Sequence, residues 1–228
     1  MRPRRVVVVV GTGTDVGKTW VAARLLADLR AAGRRVAARK PAQSFEPDDD
    51  PATRDAAVLG AASGESAEDV CPPHRWFDVA MAPPMAAEWL GRPPFTIQDL
   101  TSELRWPADP VDVGLVETAG GVRSPLAADG DCLALCTALD PDIVVLVADA
   151  GLGTINAVRL TVDALSALSF ALVVVLNRFD AAVGLHTRNR EWLQVRDALR
   201  VVAVPGEERE LSALVSGDGR WRSSEPPG

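Results

Sequence analysis

The sequence predicts an α/β protein of three layers, with a mostly parallel central sheet flanked by helices on both sides. Three observations carry that prediction. Short apolar, β-branched runs alternate with helix-length stretches from one end to the other. The runs are apolar at successive positions, as in strands covered on both faces. The first of them, Val6 to Val10, empties into a glycine-rich turn that opens an amphipathic helix.

In chain order, the strands are expected at 4–10, 35–39, 112–117, 142–148, 171–177 and 200–204. Between them lies first a helix over 18–32, where Val21, Leu25, Leu26 and Leu29 form one stripe and Gly33 is the stop signal. Further helices are expected at 52–63, 83–91, 96–105, 131–139, 156–168 and 186–199. The stretch FEPDDDP at 45–51 reads as a mobile loop, and 216–228 carries too little apolar content to do more than trail as a loose tail. With no internal repeat and no dividing linker, 1–215 is expected to form a single domain.

Composition narrows the function. At 228 residues and 47% apolar content, the chain can build one sizeable core. No run approaches the roughly 18 apolar residues of a membrane helix. The arginines at the N-terminus precede only five valines and no small-residue cleavage pattern, so a cytoplasmic protein without a membrane partner is expected. A net charge of −7 argues against nucleic-acid binding, which needs a basic face. Three cysteines without metal spacing suit a reducing compartment, with Cys132 and Cys136 read as core residues and His74 and His186 as surface ones. Only two lysines occur: Lys18, where the first helix opens, and Lys40, where the second strand ends.

The turn after the first strand, GTGTDVGKT at 11–19, is a phosphate cradle by its chemistry. Free backbone N–H groups and the positive end of a helix dipole converge there. Gly11, Gly13 and Gly17 allow the backbone to curl, Lys18 can reach the outer phosphates, and Thr19 can ligate Mg²⁺. The spacing departs from GxxxxGK[ST], because Thr12 stands where the first glycine belongs. This is therefore a variant P-loop of the NTPase type. A carboxylate near the metal is also needed, and Glu117 and Asp149 both end strands at the same sheet edge, a choice that spacing leaves open. Lys40, at that edge too, is costly to bury without an anion and could with Ser44 hold a negatively charged substrate.

These blocks, with KPAQS (40–44), RDAAVL (54–59), MAPPMAA (81–87), VETAGGVRSPL (116–126), GLGTIN (151–156) and LNR (176–178), resemble the ATP-dependent dethiobiotin synthetases in family order over most of the chain. The resemblance implies a homodimeric ligase that closes a cyclic urea on 7,8-diaminopelargonate with CO₂, ATP and Mg²⁺. It implies ATP-phosphate binding by the amides of Asp15, Val16, Gly17, Lys18, Thr19 and Trp20, with Gly120 and Arg178 joining the nucleotide site. Thr19, Asp55 and Glu117 would hold the metal, which selects Glu117 over Asp149. Lys40 would stabilise the carbamate and Thr14 the transferring phosphoryl group. Ser44, Gly120 and Asn156 would contact the diamine, with the 152–156 loop reaching a partner's site. Asn177 would read adenine, and Val204, Pro205 and Gly206 would complete the base pocket.

Two positions depart from the family's usual glycines: Thr118 and Phe45, whose bulk is expected to narrow the substrate site. The stretch 64–78 has no counterpart. The rival readings are a partition-type nucleotide-switch ATPase, against which the Val10 and Thr12 neighbours of Gly11 and the acidic balance argue, and a paralogue that binds nucleotide but uses another substrate.

Overall fold

The computed structural model describes residues 1–166, 168 and 170–219. Six strands form one sheet: β1 (Arg5–Gly11), β2 (Val36–Arg39), β3 (Val113–Glu117), β4 (Ile143–Asp149), β5 (Ala171–Asn177) and β6 (Val201–Ala203), in the order β6-β5-β4-β1-β3-β2. Every neighbouring pair is parallel. All six strand predictions hold to within a residue or so.

The alternation of the valine run explains the layers. Val8 and Val10 point to one face, against Leu135, Leu165 and Leu193, while Val7 and Val9 point to the other, against Leu25, Leu29 and Leu59. Each of the five valines is at most 2% exposed, so β1 is the central strand that an uninterrupted apolar run requires. Helices α1 (Lys18–Ala31) and α2 (Asp55–Ser63) cover the Val7/Val9 face. The helices Cys132–Leu139, Thr154–Leu165 and Gly184–Val195 cover the other. Cys132 and Cys136 are buried and free, as a packing role demands.

Two segments differ from expectation. A helix at Glu208–Ser216 was not foreseen; its stripe of Leu211, Leu214 and Val215 is buried against α1's layer, so ordered structure runs into the expected tail, whose part from 220 onward lies outside the described residues. The unmatched stretch 64–78 supports the site. Trp76–Phe77 pairs in parallel with Gln43–Ser44, and Glu65 accepts from the Ala38 amide at 2.7 Å and bonds Arg39 at 2.7 Å. The segment 45–51 is a turn leading into the 3₁₀ turn Pro51–Thr53, begun by the Asp50 side chain accepting from the Ala52 amide. Among the described residues, no helix is long and apolar enough to cross a membrane.

All strands run the same way, so their carboxyl ends share one rim, and β1 lies where the chain turns from one side of the sheet to the other. Ligands of open parallel sheets bind at such switch points.

Candidate active site

The P-loop leaves β1 and enters α1 through Gly17, whose φ of 87° is left-handed backbone that favours glycine. No side chain caps α1. Its first N–H groups therefore face outward, an anion site made by the backbone alone. Three side chains hold the loop open. Lys18 Nζ donates to the Gly13 carbonyl at 2.9 Å, Asn177 Nδ2 donates to the Val16 carbonyl at 2.9 Å, and Arg178 Nη2 donates to the Asp15 carbonyl at 2.6 Å.

A cavity of about 730 Å³ opens beside the loop. Of the expected residues, Thr14, Asp15, Gly17, Lys18, Thr19, Trp20, Lys40, Ser44, Asp55, Glu117, Gly120 and Arg178 all line it. Residues from the P-loop, from the ends of β2, β3 and β5 and from the start of α2 thus meet at one hollow.

At its floor, Lys40 and two carboxylates form a closed cluster. Lys40 Nζ lies 2.6 Å from Asp55 Oδ2 and 2.7 Å from Glu117 Oε1, with the Thr118 carbonyl accepting at 3.3 Å. Thr19 Oγ1 is 2.7 Å from Asp55 Oδ1 and 2.9 Å from Glu117 Oε1. Burial opposes the charge on Asp55, but Lys40 outweighs it and holds this carboxyl below the usual range. Glu117 is fully enclosed, and burial pushes its carboxyl up against the pull of Lys40. Burial would also discharge Lys40, yet its two carboxylates raise it above an ordinary lysine. Lys18 goes the other way, because burial and then Lys40 lower it.

Glu117 Oε2 is buried without a partner. A buried oxygen of that kind is costly unless something cationic or donating meets it. The Thr19 hydroxyl and two carboxylates are hard oxygen donors that suit a small divalent cation. Among the described residues, no group of three or more His, Cys, Asp or Glu converges on a metal position, so such a cation would take its remaining ligands from phosphate and water.

Glu117 and Asp149 differ in orientation. Register pairs Glu117 with Val9 beside the P-loop, whereas Asp149 pairs with Asn177. The Asp149 carboxylate accepts from Arg178 Nη1 at 2.7 Å and from the Gly151 amide at 2.8 Å, and Asp149 itself is not a lining residue.

Six expected residues stand outside the lining, the first being Val16, whose carbonyl accepts from Asn177. Asn177 and the run Val204 to Gly206 follow β5 and β6 along the same rim, beyond Arg178. Asn156 lies on an exposed stretch with Leu152, which is 91% exposed. The expected narrowing of the cavity by Thr118 and Phe45 is not found. Thr118 is fully buried with its hydroxyl donating to the Val9 carbonyl at 3.2 Å, and the Phe45 ring carries the Arg54 guanidinium 3.8 Å from its centroid. Neither residue is part of the cavity lining. Sequence reasoning passed over Gln43, Ser124 and the run Met81 to Pro83, which line the cavity. Their signal was present in the quoted blocks but not their direction. His74 pairs with Glu103 and His186 accepts from the Asp180 amide, both remote from the cavity.

Comparison with known proteins agrees with this geometry. A family model described as an AAA domain matches residues 5–213. The ATP-dependent dethiobiotin synthetase of Rhodococcus jostii is 43% identical over 96% of this chain and 97% of its own length. The chain belongs to the ATP-dependent dethiobiotin synthetase family. Family members from Haloferax mediterranei, at 36% identity over 86% of this chain and 82% of theirs, and from Caulobacter vibrioides, at 41% over 76% and 80%, extend the match. Among solved structures, a Borrelia burgdorferi protein assigned to plasmid partition and bound to AMPPNP superposes with a TM-score of 0.53 at 13% identity, over 98% of this chain and 93% of that one. The signal recognition particle receptor FtsY of Elizabethkingia anophelis with GDP reaches a TM-score of 0.51 at 17% identity, over 96% and 65%. Identities this low establish a shared fold and nothing finer.

Proposed function

We propose that this chain closes the ureido ring of dethiobiotin from 7,8-diaminopelargonate and CO₂, using ATP. The observation that carries the reading is the convergence of Lys18, Lys40, Thr19, Asp55 and Glu117 on one cavity beside an uncapped helix N-terminus. One amine of the substrate takes up CO₂ and loses a proton to become a carbamate. A carbamate oxygen attacks the γ-phosphorus and ADP departs. The second amine then attacks the carbamate carbon and loses a proton, and inorganic phosphate leaves as the ring closes.

Each residue has a task that follows from its place. The α1 amides and Lys18 orient the triphosphate, fixing the γ-phosphorus for in-line attack. Thr14, on the cavity wall, approaches the phosphoryl group in transit. Lys40 meets negative charge on the acceptor side, and Ser44, whose buried hydroxyl has no protein partner, bonds the diamine with Gly120 beside it. Arg178, which ties Asp15 to the β5 end, flanks the nucleotide, with Asn177 and the Val204, Pro205, Gly206 turn on the base side. Thr19, Asp55 and Glu117 would hold Mg²⁺, which supplies neutralisation of the phosphate charge when bound.

The working unit in this reading is a homodimer. The exposed Leu152, Asn156 and Leu160 present a surface through which one chain's loop reaches its partner's diamine. The test is direct: incubate the protein with 7,8-diaminopelargonate, bicarbonate, Mg²⁺ and ATP, measure phosphate release, and weigh the product. Diamine-dependent phosphate and the mass of the cyclic urea are expected. ATP turnover indifferent to the diamine would instead indicate a nucleotide switch, and turnover only with another amine a paralogue of different substrate.

A further inference from the structure

Lys40 is asked to hold an anionic acceptor, yet its hydrogen bonds are already spent. An ammonium has three N–H donors. Those of Lys40 meet Asp55 Oδ2 at 2.6 Å, Glu117 Oε1 at 2.7 Å and the Thr118 carbonyl at 3.3 Å. None is left for a ligand. The two carboxylates that hold it are also the oxygens, with Thr19, that suit a divalent cation.

We infer that Lys40 is a tethered stand-in for the divalent cation, held between Asp55 and Glu117 until the metal takes its place, and free to meet the anionic acceptor only after that exchange. The inference rests on the ATP- and Mg²⁺-dependent reading above and adds an order of events to it. Lys40 is 2% exposed, so an ammonium displaced from both carboxylates stays enclosed. An enclosed charge without a partner is strongly unfavourable, because the lost hydration is not replaced. Its flexible four-carbon stem lets it turn toward the cavity it lines, where an anion would satisfy it. Cation uptake and acceptor binding thereby favour one another, and linkage makes the effect mutual. Without metal, the lysine stays locked and the acceptor side carries no available positive charge. The backbone carbonyl that takes the third hydrogen belongs to Thr118, itself fixed through its hydroxyl on Val9, so the resting position is well defined.

The scarcity of lysine makes the exchange visible. With only Lys18 and Lys40 in the chain, full-length protein labelled with ¹⁵Nζ-lysine gives two side-chain ammonium signals, distinguished by Lys40→Arg. ADP is present throughout, the diamine is omitted, and MgCl₂ is titrated while calorimetry reports saturation. The Lys40 hydrogens are expected to exchange slowly without metal and about tenfold or more faster at saturation, with Lys18 nearly unchanged. Equal protection of Lys40 at saturating Mg²⁺ overturns the inference. In a second measurement, Lys40→Met should bind Mg²⁺ about tenfold or more tightly, because its competitor is gone; unchanged or weaker affinity in a folded variant also overturns it. The wild-type titration stands even if that variant does not fold. Because no diamine is used, release of Lys40 with failed ring closure would count against the proposed substrate alone, and ring closure with a permanently locked Lys40 against the exchange alone.

Discussion

Replacing Gly17 by alanine tests how the P-loop is held. Gly17 has φ of 87°, and a Cβ built there would stand 2.1 Å from Asn177 Nδ2, far inside contact distance. A non-glycine residue in left-handed backbone costs roughly 1–2 kcal/mol. Moving Asn177 aside also gives up its bond to the Val16 carbonyl, about 1 kcal/mol by the usual net value. The sum, roughly 2–3 kcal/mol, corresponds to about 30- to 150-fold in an equilibrium constant. That loss divides between folding stability and nucleotide affinity, so denaturant unfolding and calorimetric binding of a non-hydrolysable ATP analogue are measured together. Gly13→Ala is the control, since a Cβ there meets nothing within 4 Å. Adding Asn177→Ala to Gly17→Ala removes the collision but not the backbone strain, so part of the loss should return as a coupling energy. If Gly17→Ala changes the combined free energy by less than about 0.5 kcal/mol, the range of an ordinary surface substitution, the account of the loop is refuted.

Other outcomes follow from the same geometry. Lys40→Ala should lower turnover by about 10² or more while the ATP analogue still binds, as loss of one electrostatic group at the reacting centre does; near wild-type turnover would remove Lys40 from the chemistry. Lys18→Ala should weaken analogue binding itself, read by calorimetry. Burial and Lys40 hold the Lys18 ammonium below an ordinary lysine, whose value is about 10.4. Between the folded and unfolded values the unfolded chain binds more protons, so this group's contribution to stability rises with pH across that window. Phosphates favour its charged form, so at a pH between its folded and ordinary values binding should take up protons, seen as a heat that depends on buffer ionisation enthalpy; release of protons would contradict it. Phe45→Gly removes the ring under Arg54, the residue before Asp55, and should lower stability by roughly 1–2 kcal/mol in denaturant unfolding.

The sheet, the cradle and most of the cavity wall are legible in the residues alone. Five buried valines can only form a strand covered twice, and a glycine turn between strand and helix must leave its amides facing outward, because both facts are local to a few residues. Parallel strands share one rim, so Lys40 and Glu117 had to end near Lys18. What the sequence could not decide was direction. Glu117 and Asp149 end strands alike, yet only register and the Arg178 contact turn one toward Thr19 and the other away. Phe45 and Thr118 looked like obstacles, but their side chains settle against Arg54 and Val9, partners supplied by other segments. The helix Glu208–Ser216 carries Leu211, Leu214 and Val215 at helical spacing, a stripe legible in the residues themselves, and buries it against the layer of α1. The locked state of Lys40 was hidden, since its three acceptors come from α2 and from β3 and the residue after it, far apart in the chain and adjacent only once the sheet has formed.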